Sequence, residues 1–63
     1  MMEYEYHPFI GSHERILGHE VYVKVRNTYI AGHVSAFYFK SQKYGVQCAD
    51  HKFRRVDTVY QRV

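Results

Sequence analysis

Five histidines and one cysteine are the side chains of this sequence that could bind a metal ion or act as a nucleophile. A zinc site needs three or four convergent ligands, which usually include close pairs in the sequence. The histidines are too widely spaced to form such pairs, so we expect structural or surface histidines, no metal site and no cofactor. They are His7, His13, His19, His33 and His51.

Cys48 could act as a nucleophile if one of the histidines served as its base. It alternates with Tyr44 and Val46 on one face of a predicted strand, and neither a glycine elbow nor a helix N-terminus is predicted beside it. We therefore predict that Cys48 is a small core residue and that the chain is not an enzyme. A single cysteine cannot form an internal disulfide, which favours a reducing, cytoplasmic location.

Basic residues interleaved with aromatic residues are the strongest functional signal of the chain, which is 17% aromatic. In nucleic-acid-binding domains, phosphates pair with cations and bases stack on rings. The basic residues flank two adjacent predicted loops, which would form one patch. The predicted contacts are Lys40, Lys43, Lys52, Arg54 and Arg55 for phosphate, with Tyr29, Phe37 or Tyr44 for stacking.

A protein-interaction module is the alternative function. Such an adaptor, inhibitor or regulator would present an aromatic face or a strand edge to one partner. The consecutive aromatics Phe37, Tyr38 and Phe39 are difficult to bury in a small domain, so they could also form the contact of a homodimer. Solvated lysines and half-buried tyrosines without a binding role are the simplest explanation of the same residues.

Length and charge limit the other possibilities. A chain of 63 residues is one small domain with little volume for a deep catalytic pocket. No apolar run is long enough to span a membrane, and the acidic N-terminus is not a secretory signal. Four glutamates against one arginine make residues 1–20 acidic, and six basic residues against two aspartates make residues 40–63 basic. The acidic start could therefore pack on the basic end and mask it.

Alternating apolar residues predict that closely spaced strands position these groups. "VYVKV" has valines at every second position, which is typical of a half-buried strand. "YIAGHVSAFYF" is long for one strand, so we expect a bulge near Ser35 or Ala36 and a close backbone approach at Gly32. Shorter strands follow, with Phe53, Val56, Val59 and Val63 as predicted core contacts.

Five strands and no long amphipathic helix predict an all-β fold, a small barrel over residues 18–63. Residues 1–17 would form an N-terminal arm. Within this arm Ser12 could cap one helical turn over "HERIL", with Gly18 ending it. The turn would dock through Ile16 and Leu17, because one turn is not stable alone.

The order of features from residue 18 onward resembles the SH3-like barrels of the Tudor and KOW type. In those barrels a glycine precedes the first strand, a bulky aromatic precedes a glycine–x–valine, and an acidic turn leads into the last short strands. The resemblance implies a five-stranded barrel and, for methyl-reading Tudor domains, an aromatic cage. The matching pieces are Gly18, "VYVKV", "YIAGHV", "YGV", Asp50, "RRV" and Val59, and the cage would be Tyr22, Tyr29 and Tyr44 with Asp50 at its rim.

Overall fold

One antiparallel sheet makes up most of the computed structural model, which describes residues 4–63. In this part of the chain the sheet has six strands, and a short 3-10 helix connects the first two. The strands are β1 (Tyr6–Pro8), β2 (Glu20–Val25), β3 (Thr28–Tyr38), β4 (Lys43–Cys48), β5 (Phe53–Val56) and β6 (Tyr60–Arg62), and the 3-10 helix is His13–Arg15. Residues 1–3 of the predicted arm lie outside the described residues.

The strands follow the order β1-β6-β2-β3-β4-β5, and among the described strands the sheet is open between β1 and β5. The all-β prediction is confirmed, but the described residues form six strands where the sequence predicted five. The additional strand comes from the arm, since Tyr6 pairs with Arg62 and Pro8 with Tyr60. An edge position suits this segment because Pro8 has no N–H group to donate to a second neighbour.

The β2–β3 hairpin places the predicted valines inside. Val21 and Val23 are buried and Val25 is half-buried against the core. Thr28 pairs with Val25, so Arg26 and Asn27 form the turn between the two strands. Arg26 adopts the left-handed conformation there, with φ of 56°.

β3 contains the predicted irregularity. Its pairing with β4 shifts register between Val34 and Ala36, which leaves Ser35 as the extra residue. The shift changes which side chains face the core, because successive residues of a strand point to opposite faces. Phe37 consequently lies opposite Tyr44. Gly32 also behaves as predicted, since a Cβ there would lie only 2.7 Å from the Gln47 carbonyl oxygen.

Valines dominate the core, and the described part of the arm contributes the buried Ile16, with Phe9 packed against the core. Ile16, just after the 3-10 helix, is 2% exposed, whereas the predicted docking partner Leu17 is 41% exposed. The assignments of Phe53 and Val63 to the core were wrong, since they are 48% and 78% exposed. Phe53 lies on an edge strand and Val63 follows the last strand. The buried side chains are Ile16, Val21, Val23, Val34, Val46, Cys48 and Val59.

The 3-10 helix is capped by Ser12 and its segment ends at Gly18, as the sequence predicted. The Glu14 N–H donates to the Ser12 Oγ at 3.3 Å. Gly18 ends the segment with φ of 81°, and its N–H donates to the Val34 carbonyl at 2.9 Å. This bond fixes the segment against the bend of β3, so the 3-10 helix lies close to the aromatic residues that follow the bend.

Candidate nucleic-acid interface

Four tyrosines from four strands form one cluster on the face of the sheet that points away from the core, which we call the outer face. Tyr6 and Tyr29 stack with ring centroids 4.0 Å apart and planes 9° apart. Tyr22 meets Tyr6 edge-on at 5.1 Å, and Tyr60 meets Tyr29 edge-on at 5.3 Å. All four rings are half-buried, so part of this tyrosine cluster remains accessible to a ligand.

Arg62 joins the tyrosine cluster through its guanidinium. Its Cζ atom lies 4.3 Å from the ring centroid of Tyr4 and 5.3 Å from that of Tyr22. Such contacts are favourable because the ring face attracts a cation. A guanidinium held in this way keeps its positive charge and its hydrogen-bond donors for an anion.

A second aromatic–cation pair lies on the outer face and joins β3 to β5. The Arg55 Cζ is 4.2 Å from the ring centroid of Tyr38. Phe53 lies beside this pair, because Gly45 has no side chain and both the Phe53 and Tyr38 rings occupy the space above it. The outer face therefore carries one aromatic–cation group at β6 and β2 and another at β3 and β5.

A shallow groove with a volume of about 200 Å³ separates the two groups. Small residues of β3 and the β4–β5 turn keep it open, since Ala31, Gly32 and Ala49 contribute little side-chain volume. His33 and Glu20 lie opposite each other in the ladder and also line it.

An aromatic cleft lies next to the 3-10 helix and has a volume of about 390 Å³. Phe37 and Phe39 form its corner, with ring centroids 5.3 Å apart and planes at 90°. The His13 ring sits in this corner, stacked on Phe37 at 4.3 Å and edge-on to Phe39 at 4.9 Å. The remaining lining residues are Gly11, Ser12, Gln42, Tyr44 and Asp57.

The predicted phosphate-binding residues do not form one patch. Lys40 and Lys52 lie in turns at opposite ends of β4, a separation of roughly 20 Å for a six-residue strand. Lys43 pairs with Asp57 at 3.5 Å, so part of its charge is already compensated. Arg55 is the predicted cation that lies beside an outer-face ring.

Arg54 is held by Asp50 across the β4–β5 turn. Its two terminal nitrogens donate to the two carboxylate oxygens, each at 2.9 Å. The Lys52 N–H adds a bond to Asp50 at 3.2 Å. The Arg54 hydrogen bonds, with the smaller contribution of Lys52, lower the pKa of Asp50 from 3.8 to about 2, and the pKa of Arg54 is raised in return. This pair stabilises the turn and leaves Arg54 poorly suited to bind phosphate.

The lowered pKa of Asp50 predicts a dependence of stability on acid. The stabilisation is complete above pH 3.8 and is lost as the pH falls towards 2, because protonated Asp50 no longer pairs with Arg54. We expect the melting temperature of the wild type to exceed that of Asp50→Asn near neutral pH, and the difference to shrink as the pH falls from 3.8 through about 2. Arg54→Gln should show the same convergence in a calorimetric pH series. A difference that stays constant over this range would contradict this assignment.

The predicted aromatic cage is not assembled. Tyr22 and Tyr29 belong to the tyrosine cluster, whereas Tyr44 contacts Phe37 in the aromatic cleft with ring centroids 5.0 Å apart. Asp50 is occupied by Arg54. The predicted stacking residues are thus divided between two surfaces, with Tyr29 on one and Phe37 and Tyr44 on the other.

Sequence reasoning missed several residues of these surfaces. His13 was assigned to the arm without a binding role. Tyr38 lies on the outer face because the bulge reverses the alternation of side chains in β3. Tyr6, Tyr60 and Arg62 lie on strands too short to show a reliable alternation. Two aromatics at alternate positions, Tyr4 and Tyr6, were the available signal that the arm contributes to an aromatic surface.

Among residues 4–63, no group of three His, Cys, Asp or Glu side chains is arranged to hold a metal ion. The described part of the chain also has no helix of the length and hydropathy needed to cross a membrane. We find no family model, curated protein or solved structure that matches the chain.

Proposed function

We propose that this protein binds single-stranded nucleic acid on the outer face of its sheet. The two separate aromatic–cation groups on that face are the observation that carries this proposal. Each group offers a ring on which a base can stack and a guanidinium that can pair with phosphate. Arg62 with Tyr22 forms one group and Arg55 with Tyr38 the other.

Charge compensation favours Arg55 and Arg62 over Arg54 and Lys43 as phosphate contacts. Among the described ion pairs, the carboxylates of Asp50, Asp57 and Glu5 contact Arg54, Lys43 and His7. The guanidiniums of Arg55 and Arg62 lie over rings instead. Of the basic residues predicted from the sequence, Arg55 is the one that lies over an outer-face ring, so we retain it as a principal phosphate contact.

A single strand fits these features better than a duplex. Unpaired bases can stack on protein rings, whereas the bases of a duplex are already stacked on one another. The net charge of +3 is also modest for a protein that would bind a duplex mainly through its phosphates. We expect weak sequence preference, because every base has a face that can stack.

We further propose that the sheet curls into a small SH3-like barrel with the arm added at one edge. The last strand, β6, pairs with β2 at Tyr22 and Tyr60, which brings the end of the chain back to the first long strand. The bulge in β3 supplies the bend that such curvature needs. A curled sheet buries the valines on its concave face and leaves the tyrosine cluster outside.

The proposal predicts a defined salt dependence. Fluorescein-labelled single-stranded DNA, single-stranded RNA and duplex DNA are titrated with protein at several salt concentrations. Each phosphate neutralised on a single strand contributes about 0.7 to the slope of log affinity against log salt. Arg55→Gln and Arg62→Gln should each lower that slope by about 0.7, and the single strands should bind more tightly than the duplex.

Lys52→Gln is the matched control, because it removes the same charge from a turn at the end of β4. Its slope should equal that of the wild type. A reduced slope for Lys52→Gln with unchanged slopes for the two arginine variants would assign binding to the basic loops instead. No binding of any nucleic acid at low salt would reject the function.

A protein-interaction role is the second candidate, and the exposure of Phe39 is the observation that favours it. Phe39 is 67% exposed, whereas Phe37 packs on His13 and Tyr38 packs under Arg55. The three consecutive aromatics therefore do not form one contact surface, and Phe39 alone would anchor a partner or a second copy of the chain. Sedimentation of the wild type and Phe39→Ala at several concentrations tests self-association.

A further inference from the structure

We infer that the aromatic cleft is a binding pocket for an unpaired nucleobase with an exocyclic amine, and that His13 occupies the stacking position when no base is present. This inference deepens the proposed function and rests on it for the source of the base. The tyrosine cluster and the shallow groove contribute no lining residue to the cleft. The cleft and the outer face can therefore be tested separately.

The rings of the cleft are arranged for a planar guest. Phe37 and Phe39 stand at 90° to each other, which creates a corner with one stacking wall and one edge wall. Tyr44 lies beside Phe37 with the two planes inclined at 59°. The volume of about 390 Å³ is in the range of small-molecule pockets.

His13 shows that a flat nitrogen heterocycle fits this corner. Its imidazole lies nearly parallel to Phe37, with planes 10° apart, and nearly perpendicular to Phe39, with planes 88° apart. His13 is half-buried on a 3-10 helix of one turn, so a change of its side-chain rotamer can vacate the position. A bound base would take the place of the His13 imidazole and stack a larger planar ring on Phe37.

Acceptor groups at the rim favour bases that carry an amine. Asp57 lines the cleft, and its carboxylate side chain is 78% exposed. The Gln42 amide nitrogen donates to the Phe39 carbonyl at 2.8 Å, which leaves the Gln42 side-chain oxygen as an acceptor. Adenine, cytosine and guanine can donate an exocyclic N–H to these oxygens, whereas thymine and uracil have no such amine.

The cleft is continuous with the outer face through Tyr38 and Lys43. Tyr38 lies between Phe37 and Phe39 in the sequence but packs against Arg55 on the outer face. Lys43 pairs with Tyr38 in the ladder and contacts Asp57 at the cleft rim at 3.5 Å. A strand that crosses Tyr38 and Arg55 can therefore place its next base in the cleft.

Fluorescence of 2-aminopurine tests the pocket, because this amine-bearing base is quenched when it stacks on a ring. One arm uses the free 2-aminopurine nucleotide, and the other uses a single-stranded oligonucleotide that contains one 2-aminopurine. Phe39→Ala should weaken binding of the probe at least fivefold. Leu17→Ala removes an exposed apolar side chain outside the lining of the cleft and outside the two aromatic–cation groups, and should leave binding of the free nucleotide unchanged.

His13→Ala distinguishes a competing occupant from a fixed wall. If His13 competes with the base, its removal should tighten binding of the free nucleotide about fivefold, which matches the contribution of one aromatic contact. Weaker or unchanged binding by His13→Ala would overturn the competition. Circular dichroism of each variant verifies that the sheet is retained, and aromatic NMR shifts of Phe37 and Tyr44 report directly on occupation of the cleft.

The outcomes separate this inference from the proposed function. Salt-dependent oligonucleotide binding through Arg55 and Arg62, without quenching of 2-aminopurine in either arm, would reject the pocket and retain the outer face. Quenching of the free nucleotide without any oligonucleotide binding would retain the pocket and identify a nucleotide as its ligand. Quenching that Phe39→Ala does not change would overturn the assignment of the cleft.

Discussion

Replacement of Gly32 by alanine is expected to remove most of the stability of the fold. A Cβ at this position would lie 2.7 Å from the Gln47 carbonyl oxygen and 2.8 Å from the Val46 Cγ1. The backbone carbonyl cannot move without breaking the β3–β4 ladder, so we expect a loss of about 3 kcal/mol. A single domain of this size rarely has more than about 5 kcal/mol to lose. Urea denaturation followed by far-UV circular dichroism measures the change.

Gly45→Ala is the matched control for Gly32→Ala. A Cβ at Gly45 would approach the Phe53 Cζ at 2.6 Å, but Phe53 is 48% exposed and its ring can rotate away. The expected loss is about 1 kcal/mol. If both variants lost the same free energy of unfolding, the close backbone approach at Gly32 would not be the cause of its sensitivity.

Ile16→Ala should produce the second large loss of stability, about 3 kcal/mol, although Ile16 precedes every long strand. Its side chain is 2% exposed and belongs to the same cluster as Val21 and Val59. Truncation leaves a cavity that the neighbouring valines, which are stiff at χ1, fill poorly. The unfolding midpoint in urea should therefore fall, while the dependence of the unfolding free energy on urea stays unchanged.

Leu17→Ala is the corresponding control, because Leu17 adjoins Ile16 and is 41% exposed. Its loss should be about 0.5 kcal/mol, as for other surface substitutions. Equal losses for the two variants would show that the segment before β2 does not enter the core. A large difference would establish that the arm and the sheet form one folding unit.

Side-chain alternation was enough to predict the all-β class and most of the core. Val21, Val23 and Val46 occur at every second position of strands that have one buried face, and this pattern is visible in the sequence. The edge strand at Tyr6 was missed because three residues are too few to show a period. Phe53 was misassigned because hydrophobicity does not distinguish the two faces of a short edge strand.

The sequence predicted several residues of the candidate surfaces, but it did not predict how those residues are arranged. Tyr29, Phe37 and Arg55 do lie on aromatic surfaces, but the sequence could not show that the first two belong to different ones. That division depends on tertiary pairing and on the register shift after Val34. The pairing of Lys43 with Asp57 across two strands is likewise not visible in the order of residues.

The extra residue in β3 has a consequence for how this surface can diverge. Because Ser35 reverses the alternation, Tyr38 serves the outer face while its neighbours Phe37 and Phe39 serve the cleft. Adjacent residues thus belong to two aromatic surfaces that can vary independently. Deletion of Ser35 would restore the regular alternation and exchange the two orientations at once, whereas a replaced side chain at this position would leave the register as it is.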